Sequence, residues 1–153
     1  MIKVIIMEDK GNKLSVYVPP GGPPSATPSH EIYHLMGEHN IFKMLEEFYL
    51  ELDKSPIRKM FPADMKEASK KSGAFFVFLC GGPPLYQQRF GAPMMRKRHL
   101  AFPIDETARQ VWLSCFHKIL QSADKKFNFP MQHMAGFLNF LDKFSSWMVN
   151  EKT

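Results

Sequence analysis

From Ser29 onward, apolar side chains recur every three or four residues in runs that prolines and glycines cut short, the pattern of packed helices. The first run is short and stops at Gly37. The second places Ile41, Leu45, Phe48 and Leu52 on one face and carries Tyr49. A turn at Ser55-Pro56 leads through Ile57 and Met60 to Phe61-Pro62. Met65, Ala68, Ser72, Phe75, Phe76 and Leu79 then make a longer stripe that Gly81-Gly82-Pro83-Pro84 ends. Residues 85–93 read as irregular, and a short helix around Met94 to Leu100 is broken by Pro103. Ile104, Ala108, Val111, Trp112, Cys115 and Ile119 spell a long helix, and Pro130 opens the last, with Met134, Leu138, Leu141 and Met148 inward. The pattern predicts an all-α domain over residues 29–153.

The residues ahead of it follow different rules. Lys3 to Met7 and Leu14 to Val18 are strand-like runs around the turn-forming Asp9 to Asn12, which predicts a β-hairpin. Residues 19–28 carry five prolines and no apolar side chain larger than Ala26, the composition of a linker that cannot join a core. Residues 1–28 are therefore expected to form an N-terminal extension.

Several function classes drop out on composition. The 153 residues suit one domain. No window approaches ~18 uninterrupted apolar residues, and Met1 to Met7 is too short, and too soon followed by Glu8 and Asp9, for a signal peptide, so a soluble cytoplasmic protein without membrane contact is expected. Cys80 and Cys115 have neither the number nor the spacing of a disulfide framework or zinc site and are expected as reduced thiols. The net charge of +5 is scattered in short runs, Lys70-Lys71, Arg96-Lys97-Arg98 and Lys125-Lys126, which reads as a solvated surface and not as a nucleic-acid site. The 14 Phe and 11 Met suit an ordinary helical core and equally a core built around a large planar guest.

Of the six histidines, His30, His34 and His39 lie among polar residues. His99 differs. It follows Met94, Met95 and a basic triplet and precedes Leu100, Ala101 and Phe102, so one short segment combines a nitrogen ligand, apolar contacts and cations. A haem asks for that combination: imidazole for the iron, apolar walls for the ring, and cations or hydroxyls for the propionates. Arg96, Arg98, Lys71 and Tyr86 are the candidates for that rim. A lone histidine beside arginines is, taken by itself, more often a surface residue.

The whole arrangement resembles the truncated haemoglobins of group II over residues 30–150. Phe48-Tyr49, Phe61-Pro62, Gly81-Gly82-Pro83, Tyr86, Arg96-x-Arg98-His99, Phe102 and Val111-Trp112-Leu113 follow that family's order with near-identical spacing. The resemblance implies a two-over-two helical sandwich, haem b as cofactor and His99 as the proximal iron ligand. It also implies a pocket that draws on Phe48, Tyr49, Phe61, Ala68, Lys71, Ser72, Phe75, Phe76, Tyr86, Met95, Phe102 and Trp112. Tyr49 and Trp112 are the distal donors toward dioxygen, nitric oxide, carbon monoxide or peroxide. On the residues alone, Tyr49 is equally a phenol at the edge of an apolar face, and Trp112 sits in a stripe where plain packing explains it.

Ala68 stands where haemoglobins of the classical kind carry a bulky histidine gate. Ser72 is expected either to hydrogen-bond a backbone carbonyl or to add a third polar group, with the first favoured. Phe61 replaces a tyrosine common in the group, and Gly37-Glu38 replaces a paired glycine, which affects only a bend. The family resemblance leaves two functions open: a ligand-binding haem protein, monomeric or homodimeric, with nitric oxide dioxygenase or peroxidase-like turnover supported by an external reductase, or a sensor that signals through residues 1–28.

Overall fold

The computed structural model describes residues 5–9 and 12–152. β1 (Ile5–Asp9) and β2 (Asn12–Ser15) pair antiparallel, with Met7 opposite Leu14 and Asp9 opposite Asn12. The expected hairpin is present but shifted. Lys3 and Val4 of the expected first strand, and Lys10 and Gly11 of the turn, lie outside the described residues, and β2 ends at Ser15.

Tyr17 and Val18 leave the hairpin and pack on Ile104, Ala108, Trp147, Met148 and Val149. Pro19 and Pro28 are buried, with mostly exposed residues between them. The expectation that residues 19–28 cannot join a core is thereby corrected. A proline ring is apolar and brings no N–H that needs a partner, so a strap that turns at residues 19–22 buries a proline at each end without orphaning a donor.

The helical domain begins with α1 (Ile32–Met36), which ends at Gly37 and passes directly into α2 (Glu38–Asp53). A 3-10 turn at Arg58–Met60 leads to α3 (Met65–Leu79), whose start is fixed by the Asp64 carboxylate accepting the Glu67 N–H at 3.0 Å. α4 (Leu85–Phe90) and α5 (Met95–His99) are short. α6 (Glu106–Leu120) starts on Asp105, which accepts the Ala108 N–H at 2.8 Å. α7 (Ala123–Phe127) and a 3-10 turn at Met131–His133 precede α8 (Met134–Met148).

α2 packs on α3 and on α6, α6 packs on α8, and α5 rests against α8, so the long helices form two layers of two. Ile41, Met44, Leu45, Phe48 and Leu52 form the buried face of α2. Gly73 permits the α2–α3 approach, since a Cβ there would lie 2.5 Å from the Phe42 ring. At the centre Phe48 stacks on Phe116 at 4.1 Å, with Phe76 and Phe137 against the same ring.

Four boundaries depart from the sequence reading. Residues 85–90 are helical, because Pro84 sits where a helix start has no use for its missing N–H and Gly91 (φ +82°) ends the turn. α7 is likewise helical where none was expected. Ile104 lies outside α6 because its N–H goes to Asn150 Oδ1 at 2.9 Å. The last helix begins at Met134, one 3-10 turn after Pro130.

Cys80 and Cys115 are both free thiols, as expected. Cys80 is fully buried at the end of α3, its carbonyl accepts the Tyr33 N–H at 2.9 Å, and burial pushes its thiol up to about 12. The next residue, Gly81, has φ +100°, and a Cβ there would meet the His30 carbonyl oxygen at 2.1 Å. Gly81→Ala should therefore cost about 2 kcal/mol or more and lower Tm by roughly 4 °C or more. A circular-dichroism melt indistinguishable from wild type would contradict this account of the turn.

Candidate functional site

α5 is five residues long and is preceded by Met94, which adopts a left-handed conformation (φ 40°) and gives no side-chain cap. So short a helix does not hold itself. Its position comes from side chains on both flanks. Arg98 donates to the carbonyls of Pro93 (2.6 Å), Phe90 (2.8 Å) and Ala92 (2.8 Å), which binds α5 to the turn before it. From the other side Asn150 donates to the carbonyls of His99 (3.2 Å) and Phe102 (2.9 Å). Arg96 donates to the carbonyls of Trp147, Val149 (2.8 Å) and Tyr17 (2.7 Å).

His99 is the last residue of this helix, and its Nδ1 lies 2.6 Å from the Met95 carbonyl oxygen. A carbonyl only accepts, so Nδ1 carries the proton and Nε2 keeps the lone pair. Burial holds the imidazole below its ordinary value, a tendency that the bond from Met95 opposes and the Lys71 charge reinforces. The ring is thus neutral, of defined tautomer, and able to ligate a metal through Nε2.

His99 borders a cavity of about 360 Å³, within the range of small-molecule and cofactor sites. Met95, Phe102 and Ile104 line it beside the histidine, and Ala108, Phe144 and Met148 form the side toward α6 and α8. Tyr49 from α2, Phe61, and Ala68, Ser72, Phe75 and Phe76 from α3 form the distal wall with Trp112 from α6. Phe61 stands edge-on to Tyr49 at 5.8 Å, and its loop is fixed by Arg58, which donates to the carbonyls of Phe61 (3.2 Å), Pro62 (3.0 Å) and Ala63 (3.1 Å).

Burial raises the Tyr49 phenol above its usual value, and a hydrogen bond with the Ser72 side chain acts against that rise. Ser72 lines the same cavity as Tyr49. Trp112 is held by edge contacts to Phe48 (5.4 Å) and Phe116 (5.6 Å), and its indole N–H has no acceptor among the described residues.

One end of the cavity is cationic. Lys71 lies 4.8 Å over the Phe90 ring, and the Arg98 guanidinium lies 5.3 Å over the ring of buried Tyr86. The Tyr86 phenol is raised by burial, which Arg98 partly offsets.

All but two of the residues expected at the site line this cavity. Phe48 and Arg96 do not. Phe48 is buried one layer behind, where it carries the edges of Tyr49 (5.6 Å) and Trp112. Arg96 points away from the cavity into a cage of carbonyls, so it is corrected from a rim cation to an internal tie. Sequence reasoning missed Ile57, Met60, Pro62, Ile104, Ala108, Arg109, Phe144, Ser145 and Met148 as lining residues. Ala108 and Met148 belonged to helical stripes and were legible as inward; Arg109 carried no signal, because its contacts with Ser145 (3.0 Å) and Asp142 (2.5 Å) cross between helices.

The fittings suit a haem: an apolar chamber, a neutral imidazole anchored by its other nitrogen, two donors on the facing wall, and Lys71 with Arg98 at one end for propionates. The family described as bacterial-like globin matches residues 31–149. A group 2 truncated hemoglobin of Bacillus subtilis is 39% identical over 84 residues, which are 54% of this chain and 64% of that relative; one from Lotus japonicus is 35% identical over 51% of this chain and 45% of its own. The matches thus span 64% and 45% of the length of these two curated relatives. Among solved structures, phosphate-bound Hell's gate globin IV has a TM-score of 0.78 at 35% identity, covering 86% of this chain and 81% of that one. The group II truncated hemoglobin of Bacillus anthracis has a TM-score of 0.73 at 28% identity, covering 85% and 95%. The order of the helices, the histidine ending the fifth of them and the likeness over residues 31–149 agree: the chain belongs to the bacterial-like globins and, within them, to the group II truncated haemoglobins.

Proposed function

We propose that the chain holds haem b through His99 Nε2 and admits dioxygen, or another small diatomic ligand, on the side faced by Tyr49 and Trp112. The observation that carries this reading is the His99–Met95 bond at 2.6 Å, which leaves the other ring nitrogen as an electron-pair donor at the wall of an apolar cavity. When bound, haem supplies the iron that takes the ligand. The protein's own part is to present a neutral imidazole, exclude water with Phe61, Phe75 and Phe76, neutralise propionates with Lys71 and Arg98, and point donors at the distal space. The Tyr49 hydroxyl lines the cavity beside Ser72, and burial keeps the phenol protonated. Ala68, small and half-exposed, leaves the distal wall open to entry beside α3. Turnover of nitric oxide with dioxygen, or of peroxide, is compatible with this pocket and requires electrons from an external reductase.

An absorbance spectrum of the purified protein should show a Soret band that shifts on reduction and on adding carbon monoxide. His99→Ala should abolish that ferrous response; a colourless wild-type protein, or an unaltered response in the variant, overturns the proposal. Tyr49→Phe and Trp112→Phe should each speed dioxygen release about tenfold or more in stopped-flow measurements, the effect of losing a hydrogen bond to a partly charged acceptor. Unchanged rates in both would remove the donors from the account.

The depressed His99 value has a pH consequence. The unfolded chain takes up the proton first, so in the haem-free protein this contribution to stability is complete above about pH 6.5 and declines as pH falls through the folded value. Urea titrations between pH 7 and 5 should show that decline in wild type and a shallower one in His99→Leu. Parallel curves would show that His99 is not held neutral by burial.

A further inference from the structure

Arg96 is 6% exposed, yet among the described residues none of its partners is a carboxylate. It is satisfied by the carbonyls of Trp147, Val149 and Tyr17, its guanidinium lies 4.6 Å over the Trp147 ring, and its Nε has no partner. A buried cation served only by neutral acceptors is tolerable while every acceptor stays in place, and loss of one leaves it poorly solvated. One acceptor is unlike the others. Tyr17 lies 79 residues away in sequence, on the N-terminal strap.

The strap is anchored at Tyr17 to Pro19 and again at Pro28, with mostly exposed residues between. Its Tyr17 and Val18 side chains rest on the segment Trp147 to Val149, and the next residue, Asn150, binds the His99 carbonyl. Arg96 itself stands three residues before His99 on α5, one helical turn away and on the same short rod. The strap, the end of α8 and the proximal helix are therefore one connected body, and Arg96 is the side chain that binds all three.

We propose that residues 17–19 are a detachable latch on the proximal helix: seated, they complete the carbonyl cage of Arg96 and fix the aim of His99; lifted, they loosen α5 and weaken the grip of His99 on haem. Arg96 is in this account a positioning residue. The inference rests on the haem-binding reading above, and it gives the extension a mechanical connection to the iron side of the pocket, so that whatever displaces the extension changes ligand binding without touching the distal wall.

The test uses the full chain. Val18→Asp sets a carboxylate on the apolar seat of the strap and leaves Arg96 and the cavity lining unaltered; Val18→Ser is the milder form. Three quantities are read: haem loss to an excess of a haem-scavenging globin, the iron–histidine stretching frequency of the ferrous protein, and amide hydrogen exchange across α5. Val18→Asp is expected to speed haem loss about tenfold, the change for roughly 1.4 kcal/mol of lost restraint. It should also lower the stretching frequency and accelerate exchange at residues 95–99 while α2 and α3 stay protected, with Val18→Ser intermediate. Arg96→Met should do the same, and the double variant Val18→Asp/Arg96→Met should be no worse than the worse single one, because both act through one link. Unchanged haem loss and α5 exchange in both Val18 variants, additive effects in the double variant, or exchange that rises uniformly through the fold would each overturn the latch. A wild-type chain that takes up no haem would instead sink the functional reading, and exchange at α5 in that haem-free chain would still decide whether the strap restrains the helix.

Discussion

The hydrogen bond from His99 Nδ1 to the Met95 carbonyl determines what the imidazole is able to do. It fixes the tautomer, aims the ring and leaves one nitrogen with its lone pair at the cavity. The bond joins residues four apart, so it exists only while α5 is helical, and α5 is too short to be helical unaided. Its restraints run to elements outside it: Arg98 reaches the carbonyls of the preceding turn, Arg96 reaches carbonyls at the end of α8 and on the strap, and Asn150 binds the carbonyls of His99 and Phe102. All three side chains bind backbone oxygens. The proximal half of the site is thus built from long polar side chains that reach carbonyls left over where elements stop.

The distal half is built on a different principle. Tyr49 and Trp112 come from different helices and both lean on Phe48, which also stacks on Phe116 at 4.1 Å. Edge-to-face aromatic contacts favour particular angles, so one ring outside the cavity sets the direction of both donors within it. Polar ties hold the His99 side of the cavity and stacked rings hold the Tyr49 and Trp112 side, and Phe144 and Met148 complete the lining.

Much of this was legible in the sequence because helix periodicity and site chemistry coincide. The stripe Phe75, Phe76 on α3 and the position of Trp112 on α6 follow from spacing alone, and His99 was marked by its neighbours. What was illegible was direction and long-range closure. Arg96 and Arg98 read alike in an alternating basic run, but on a helix two residues apart they point some 200° apart, one to the cavity edge and one into the body of the protein. The prolines of residues 19–28 suggested a free linker because composition reports the lack of a side-chain core and is silent about the apolar face of the ring. Asn150 carried no signal in the sequence, yet it is the residue that ties His99 to Ile104.

The thiol at the end of α3 has a use beyond packing. Cys80 stays protonated up to about pH 12 and is covered on all sides, whereas Cys115 is only half-buried. Only the thiolate is nucleophilic, so in the folded chain alkylating and oxidising reagents find the second cysteine first and reach Cys80 when α1 and α3 part. The two sulfurs therefore form an internal clock for opening events: labelling at Cys115 reports surface chemistry, and labelling at Cys80 counts excursions of the whole helical body.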